Sequence, residues 1–227
     1  MKKPGKPYAL LLLTLSGSVL AQAPGQPPAG GAAAQPPPDT SMSFFVTSVG
    51  MGKGANLGGL AGADAHCKAL AEAAGTKGKT WHAYLSTNGP GGVNAKDRIG
   101  KGPWYNANGV LVARSVEHLH YSNVLMTKEN SVTEKKGIVN GVGDTPNQHD
   151  MLTGSNPDGT ASTMTCNNWT ADSSTPEPKA MLGHLDRKGG GAMAESWNSA
   201  HASRGCSQEA LIPSGGNGYF YCFATGE

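Results

Sequence analysis

The segment GADAHCKALAEAAG, residues 62–75, is the clearest structural element in this chain of 227 residues. Ala63, Cys67 and Leu70 recur at helical spacing, and Gly75 stands where a helix commonly ends. The pattern predicts a helix that turns Cys67 towards a hydrophobic core. A cysteine at this position can attach the helix to another part of the domain through a disulfide.

The chain contains four cysteines, and the other three are Cys166, Cys206 and Cys222. None of their spacings resembles a CxxC redox pair or zinc pair. An even number of cysteines in an exported protein predicts structural disulfide bridges. With 33 glycines and only 15% charged residues, the composition is typical of a loop-rich domain that needs covalent support. The sequence alone leaves all of the possible pairings open.

The amino terminus predicts export. Three lysines precede an apolar run at residues 9–15, and small residues lead to Ala21, which suits signal peptidase. We expect a signal peptide at residues 1–21 and a secreted or periplasmic mature protein. The apolar run is too short to span a bilayer, so we expect no transmembrane segment in the mature chain.

Removing the leader changes the charge balance of the protein. The formal net charge of +2 includes three leader lysines and no leader acid, so the remaining chain carries −1. Its arginines are scattered, which argues against a nucleic-acid partner. Residues 22–40 are rich in Pro, Gly and Ala and predict a disordered tether, whereas residues 41–227 predict a single domain.

Short strands are predicted at five places bounded by Gly, Pro or Asn, namely residues 44–49, 81–85, 110–113, 164–169 and 219–224. In the last of these, Phe220 and Cys222 share one face, and Tyr219, Tyr221 and Phe223 share the other. Both faces are therefore expected to be covered, in an α+β domain. Long polar connections at residues 127–150 and 171–195 are the expected location of function.

Six separated motifs, in this order, resemble the endostatin domain of certain collagens: GADAHCKALAEAAG, TWHAYLST, LTGSNPDG, CNNWTA, LGHLDR and YFYCFA. The wider class is the C-type lectin-like fold, and the chain is also similar to secreted bacterial proteins described as lectin-like. The resemblance covers about residues 44–224. It implies a mixed, mostly antiparallel sheet with a flanking helix and long loops. It also implies two nested disulfides, Cys67 with Cys222 and Cys166 with Cys206.

The resemblance extends in part to the ligand site of calcium-dependent lectins. Those lectins carry a Pro-containing triplet before the second cysteine and Trp-Asn-Asp before the third, and this chain has NPD at 156–158 and WNS at 197–199. Calcium is bound by carboxylate and amide oxygens. Asn156, Asp158 and Asn198 are therefore the candidate metal and ligand-binding residues, with calcium as the candidate cofactor. The alternative is that SNPDG forms a plain β-turn.

Trp197 is the aromatic residue best suited to present a flat ring to a sugar, because its neighbourhood is polar and rich in glycine. The alternative is that Trp197 covers the inner disulfide. Trp81 and Trp169 are predicted to lie in the core.

The seven histidines raise the possibilities of zinc binding and catalysis. His118 and His120 lie two residues apart, as do His184 and Asp186, but these spacings match no recognised zinc pattern. The zinc histidines of endostatin lie near its amino terminus, and residues 41–60 contain no histidine. We therefore do not predict a zinc site from these residues.

The chain also has no GxSxG or HExxH motif. A catalytic set drawn from His149, Asp150 and His201 with Ser196 or Ser199 would rest on residue content and not on geometry. We therefore predict that the protein is not an enzyme.

The sequence predicts a secreted or periplasmic lectin-like domain that recognises extracellular glycans through the loops between Cys166 and Cys206. The alternative is a protein-binding or structural module of the cell envelope, used in adhesion and lacking a sugar site. An exposed cluster of Asn, Asp and Trp side chains would favour the lectin, and polar loops packed against the domain would favour the alternative.

Overall fold

The computed structural model describes Met1 and residues 39–122 and 124–225. The predicted signal peptide and nearly all of the predicted tether lie outside the described residues. The chain divides into two units, of which Pro38–Glu227 contains the fold described below. Within the described part of the chain, no helix is both long enough and apolar enough to cross a membrane.

The described residues of the domain form eight strands: β1 (Phe44–Val46), β2 (Thr80–Ala83), β3 (Trp104–Tyr105), β4 (Leu111–Ala113), β5 (Asp150–Leu152), β6 (Met181–His184), β7 (His201–Ala202) and β8 (Gly216–Thr225). Its α-helical segments are α1 (Gly59–Ala73), α2 (Ala95–Arg98), α3 (Cys166–Trp169) and α4 (Gln208–Leu211). The part of the chain that the structure describes also has a π-helical turn at His118–Ser122 and a 3-10 turn at Ile212–Ser214.

The main sheet has the strand order β1-β8-β5-β6-β7, and β2 also pairs with β8. Every pair in this sheet is antiparallel except β5 with β8, which is parallel. Strands β3 and β4 form a separate antiparallel pair. The predicted α+β class, with a mixed and mostly antiparallel sheet, is confirmed.

Strand β8 separates two hydrophobic cores. Phe220 and Cys222 face the first core, whereas Tyr219, Tyr221 and Phe223 face the second. This alternation follows from the two-residue period of a strand and confirms that both faces of β8 are covered. Each fully buried aromatic side chain in this strand contributes on the order of 2 kcal/mol to the stability of the fold.

Two disulfides lie in the first core, with the pairing that the resemblance implies. Cys67 on α1 bonds to Cys222 on β8, with a Cα–Cα distance of 5.6 Å. Cys166 bonds to Cys206, with a Cα–Cα distance of 5.8 Å. The outer bridge attaches the long helix to the central strand, and the inner bridge closes the excursion that contains β6 and β7.

Helix α1 begins three residues before the predicted start and ends close to the predicted end. Gly75 has a φ of 90° just past the helix. The amide of Gly75 donates to Glu72 O, and the amide of Thr76 donates to Ala71 O. These bonds satisfy the last carbonyls of the helix, so Gly75 acts as the predicted helix terminator.

The strand predicted at residues 164–169 is wrong. Residues 166–169, in α3, all have positive φ, so the chain forms a tight left-handed turn instead. Asn167 and Asn168 tolerate this conformation, while Cys166 is held by its disulfide. The side chain of Thr165 accepts from the amide of Asn168, which closes the turn.

Candidate functional site

Strands β5, β6 and β7 bring three residues that are distant in sequence onto one face of the sheet. Asp150 pairs with His184, and His201 pairs with Leu182. Directly paired residues share a face, as do residues two apart along a strand. Asp150, His184 and His201 therefore project together, although they come from three separate parts of the chain.

Three imidazoles surround one carboxylate oxygen at this place. The Oδ1 atom of Asp150 lies 3.3 Å from His149 Nε2 and 3.4 Å from the Nε2 atoms of His184 and His201. The Asp150 side chain is 0% exposed, whereas His201 is 35% exposed and marks the side nearest to solvent. We call these four residues the histidine cluster.

The far side of the His149 ring is held by Asp186. The distance from His149 Nδ1 to Asp186 Oδ1 is 2.8 Å, and the amide of Val142 donates to Asp186 Oδ2 at 2.7 Å. Burial of the Asp186 carboxyl would raise its pKa, but the contacts with His149 and the amides outweigh burial and lower the pKa to about 2. Asp186 is therefore an anionic support for His149.

The pKa values of two residues in the histidine cluster, Asp150 and His201, are also shifted. Burial opposes ionisation of Asp150, but the imidazoles of His184 and His201 lower its pKa below the ordinary range. The same contact with Asp150 raises the pKa of His201. The cluster thus combines a buried carboxylate with three imidazole rings.

The loop at residues 187–196 covers the histidine cluster on one side and lines a cleft of about 700 Å³ on the other. Its Ala194 carbonyl bonds to His184 Nδ1 at 2.8 Å. At Gly189, a Cβ atom would lie 3.1 Å from the ring of His184. The opposite wall of the cleft includes Pro157 and Asn198.

A chain of hydrogen bonds lies beneath the cleft. The Nδ2 group of Asn198 donates to Tyr84 Oη at 3.0 Å, and Tyr84 Oη donates to His120 Nε2 at 2.7 Å. The Nδ1–H group of His120 donates to Val116 O at 2.7 Å. Burial raises the pKa of Tyr84 and lowers the pKa of His120, which favours the neutral forms of both. The floor of the cleft is therefore held in one arrangement.

The structure brings Asn156 and Asn198 together, but not as calcium ligands. The Nδ2 group of Asn198 points a donor at the carbonyls of Asn156 (3.1 Å) and Pro157 (3.3 Å), where a calcium site needs converging oxygens. Asp158 Oδ1 accepts from the amide and hydroxyl of Thr160 at 3.0 and 2.6 Å. These are the contacts of a hydrogen-bonded turn, so the residues do not fit the calcium shell.

The ring of Trp197 does not present a face to solvent, because the residue is only 1% exposed. It packs against Tyr84 and Tyr221 at centroid distances of 4.7 and 5.2 Å. Both cysteines of the inner disulfide belong to the other core. The prediction that Trp197 binds a sugar is therefore wrong, and so is the alternative that it covers that disulfide. Trp81 and Trp169 are buried as predicted.

The histidine cluster was not predicted as a unit. The dipeptide His149-Asp150 was noticeable in sequence, but its partners His184 and His201 are joined to it only by strand pairing. His118 and His120, two residues apart in sequence, both lie in a π-helical turn and take no part in the histidine cluster. The signal available in the sequence was an alternation of polar residues within a segment that is strongly buried. This alternation was too short to identify a strand.

Comparison with known proteins gives one family. The model of a family described as Protein of unknown function (DUF1554) matches residues 50–187, which is more than half of the chain. The matched segment includes His149, Asp150 and His184, and it ends before His201. No curated protein matches the chain.

Proposed function

We propose that this chain, which belongs to the DUF1554 family, is a ligand-binding domain that recognises a glycan. The binding site would be the cleft between the loop at residues 187–196 and the turn that contains Pro157. The observation that supports this proposal is the position of that cleft. Most of its lining residues belong to the excursion closed by the inner disulfide, and its walls are polar and apolar in nearly equal parts.

The chemistry of the cleft suits a hydroxyl-rich ligand. Its lining includes the side chains of Arg187, Lys188, Glu195, Ser196 and Asn198. Sugar hydroxyls both donate and accept hydrogen bonds, and the loop wall offers a donor at Lys188 and an acceptor at Glu195. A few well-placed polar groups on a rigid frame are what specific small-ligand sites require.

The floor of the cleft is organised before any ligand arrives. The Oδ1 atom of Asn198 accepts from Ser196 Oγ at 3.1 Å, and the Oγ1 atom of Thr153 donates to Asn198 O at 2.6 Å. Together with the bonds to Tyr84, these contacts fix the side chain and the backbone of Asn198. A preorganised site loses less conformational freedom on binding, which favours affinity.

The two disulfides support the proposed location of the protein in the periplasm or outside the cell, since such bonds persist in oxidising compartments. A domain exposed to extracellular glycans would work in that environment.

A glycan array on the full, oxidised chain tests the proposal. We expect selective binding that survives a calcium-specific chelator, because the turn residues do not form a calcium shell. Lys188→Ala should weaken this binding by about tenfold, since it removes a charged hydrogen-bond donor from the cleft.

Lys101→Ala is the matched control, because Lys101 is an exposed lysine at the rim of a second cleft of about 710 Å³. A blank array from correctly disulfide-bonded protein, or equal losses in the two variants, would contradict the proposal. A blank array would favour the protein-binding module, with which the buried Trp197 and Asn198 side chains also agree.

A further inference from the structure

We infer that His149, Asp150, His184 and His201 bind one divalent transition-metal ion, with Zn²⁺ as the best match. The loop at residues 187–196 separates this site from the proposed glycan cleft, and none of the four residues lines that cleft. The inference therefore does not depend on the proposed function.

The partner of each histidine Nδ1 atom shows which ring nitrogen carries the proton. Each Nδ1 atom of the three histidines lies next to an oxygen that can only accept a hydrogen bond: Asp186 Oδ1 at 2.8 Å, Ala194 O at 2.8 Å and Ala202 O at 3.0 Å. Each Nδ1 must therefore carry the proton. In a neutral imidazole, the Nε2 atom then has an unshared electron pair.

Those three electron pairs converge on a carboxylate, which also can only accept. Among the described residues, neither oxygen of Asp150 has a hydrogen-bond partner, and neither does His184 Nε2. Burying such acceptors without a partner is strongly unfavourable, above all for the charged carboxylate. A cation at the centre of the histidine cluster would satisfy all of them together.

The distances favour a metal over shared protons. A charge-assisted N–H···O bond is usually about 2.7–2.9 Å long. The three contacts with Asp150 Oδ1 are instead 3.3, 3.4 and 3.4 Å long. Ligands about 2.0–2.1 Å from a tetrahedral zinc ion are separated from one another by roughly 3.3–3.4 Å.

The ligand atoms also occupy a small enough volume for one ion. Those of His149, Asp150 and His184 all lie within 4.8 Å of one another. His201 lies outside this group of three, but its Nε2 atom is 3.4 Å from the same Asp150 oxygen, so it would complete the proposed set from the side nearest to solvent. Three buried ligands and one partly exposed ligand allow a metal to enter and to be retained.

The surrounding contacts are those of a built metal site. Ligand histidines normally bond through their second nitrogen to a carboxylate or a carbonyl, which fixes the ring and its tautomer. His149 has the carboxylate of Asp186, and the other two histidines have the backbone carbonyls named above. Three imidazoles and one carboxylate suit Zn²⁺, whereas Ca²⁺ and Mg²⁺ prefer oxygen ligands.

The test is metal binding to the full, oxidised chain after treatment with a chelator. We expect the protein to take up about one zinc ion per chain, measured by elemental analysis and calorimetry, and to melt at a higher temperature when zinc is bound. Calcium and magnesium should have no such effect. Cobalt should give the intense visible absorption of tetrahedral coordination.

Asp150→Asn keeps the size of the side chain and removes its charge, and His201→Ala alters the most exposed ligand, so both variants should fold. Each should weaken zinc binding by at least about tenfold. His66→Ala is the control, because His66 lies on α1 outside the histidine cluster and should leave binding unchanged.

Failure to take up zinc, equal binding in Asp150→Asn and the unaltered protein, or loss of binding in His66→Ala would each overturn the inference. Imidazolium signals from the histidine cluster in nuclear magnetic resonance spectra of the zinc-treated protein would also overturn it, because they would show that protons occupy the centre. A blank glycan array would leave the metal result unaffected, so the two proposals can fail separately.

Discussion

Substituting alanine for Gly183 on β6 should test how closely the segment that contains Trp197 and Asn198 packs against the sheet. A Cβ atom on Gly183 would lie 1.9 Å from Trp197 O and 2.5 Å from Asn198 Cα. Real Cβ contacts are essentially never shorter than 3.0 Å, so the segment would have to move by more than 1 Å. The obstacle is the backbone of residues 197 and 198, so a change of side-chain rotamer cannot relieve it.

The expected loss of stability follows from the bonds on either side of Gly183. The amide of His184 donates to Ser196 O at 2.9 Å, and the amide of Ala200 donates to Leu182 O at 2.6 Å. Losing both costs about 2 kcal/mol, and overpacking strain adds about 1–3 kcal/mol. Alanine also lowers the conformational entropy of the unfolded chain relative to glycine, which offsets about 0.4–1 kcal/mol of this loss. We therefore expect the free energy of unfolding to fall by about 2–5 kcal/mol.

Urea denaturation of the oxidised protein measures this change. Gly190→Ala is the control, because a Cβ atom there would meet nothing within 4 Å and the backbone is not left-handed. It should be neutral or stabilise the protein by up to about 1 kcal/mol. A Gly183→Ala variant as stable as the Gly190→Ala variant would refute the close packing of Trp197 and Asn198 on β6.

Two further predictions concern the framework. Replacing Cys166 and Cys206 with serine should lower the unfolding free energy by about 4 kcal/mol, and replacing Cys67 and Cys222 should lower it by about 5 kcal/mol, because the closed loops span 40 and 155 residues. A larger loss for the inner pair in urea denaturation would contradict this loop-entropy argument. Asp64→Ala should cost about 2–3 kcal/mol, since its carboxylate accepts from the amide of Ala83 at 2.8 Å and from Arg98 at 2.7 Å. The exposed Glu72→Ala on the same helix should change stability by less than about 0.5 kcal/mol in the same assay, and equal effects would refute the role of Asp64.

The fold could be predicted from sequence where the pattern is local and strong. The helix around Cys67 and the two covered faces of β8 follow from periods of 3.6 and two residues, which the chain carries over many positions. The strands β5, β6 and β7 have two to four residues each, which is too short for a period to be visible. Two of them fall within or beside the connections expected to be polar loops.

The candidate site could be predicted only in part. The sequence directed attention to the loops between Cys166 and Cys206, and the cleft lies there. It suggested Trp197 as an exposed ring because the neighbouring residues are polar. The structure buries that ring, because the indole enters the second core and its polar neighbours Ser196 and Asn198 are satisfied by hydrogen bonds within the protein. Polarity of neighbours does not determine the direction of a single side chain.

By itself, the sequence determined the α+β class, the main helix, the central strand and the presence of a disulfide framework, since each depends on residue types at short spacing. Only the tertiary structure decided that Asp150 meets three histidines. That contact depends on which residues pair across β5, β6 and β7, and a shift by one residue would send each side chain to the opposite face. Strand register is set by packing of the whole domain, so the most chemically specific feature of this protein is absent from any local pattern.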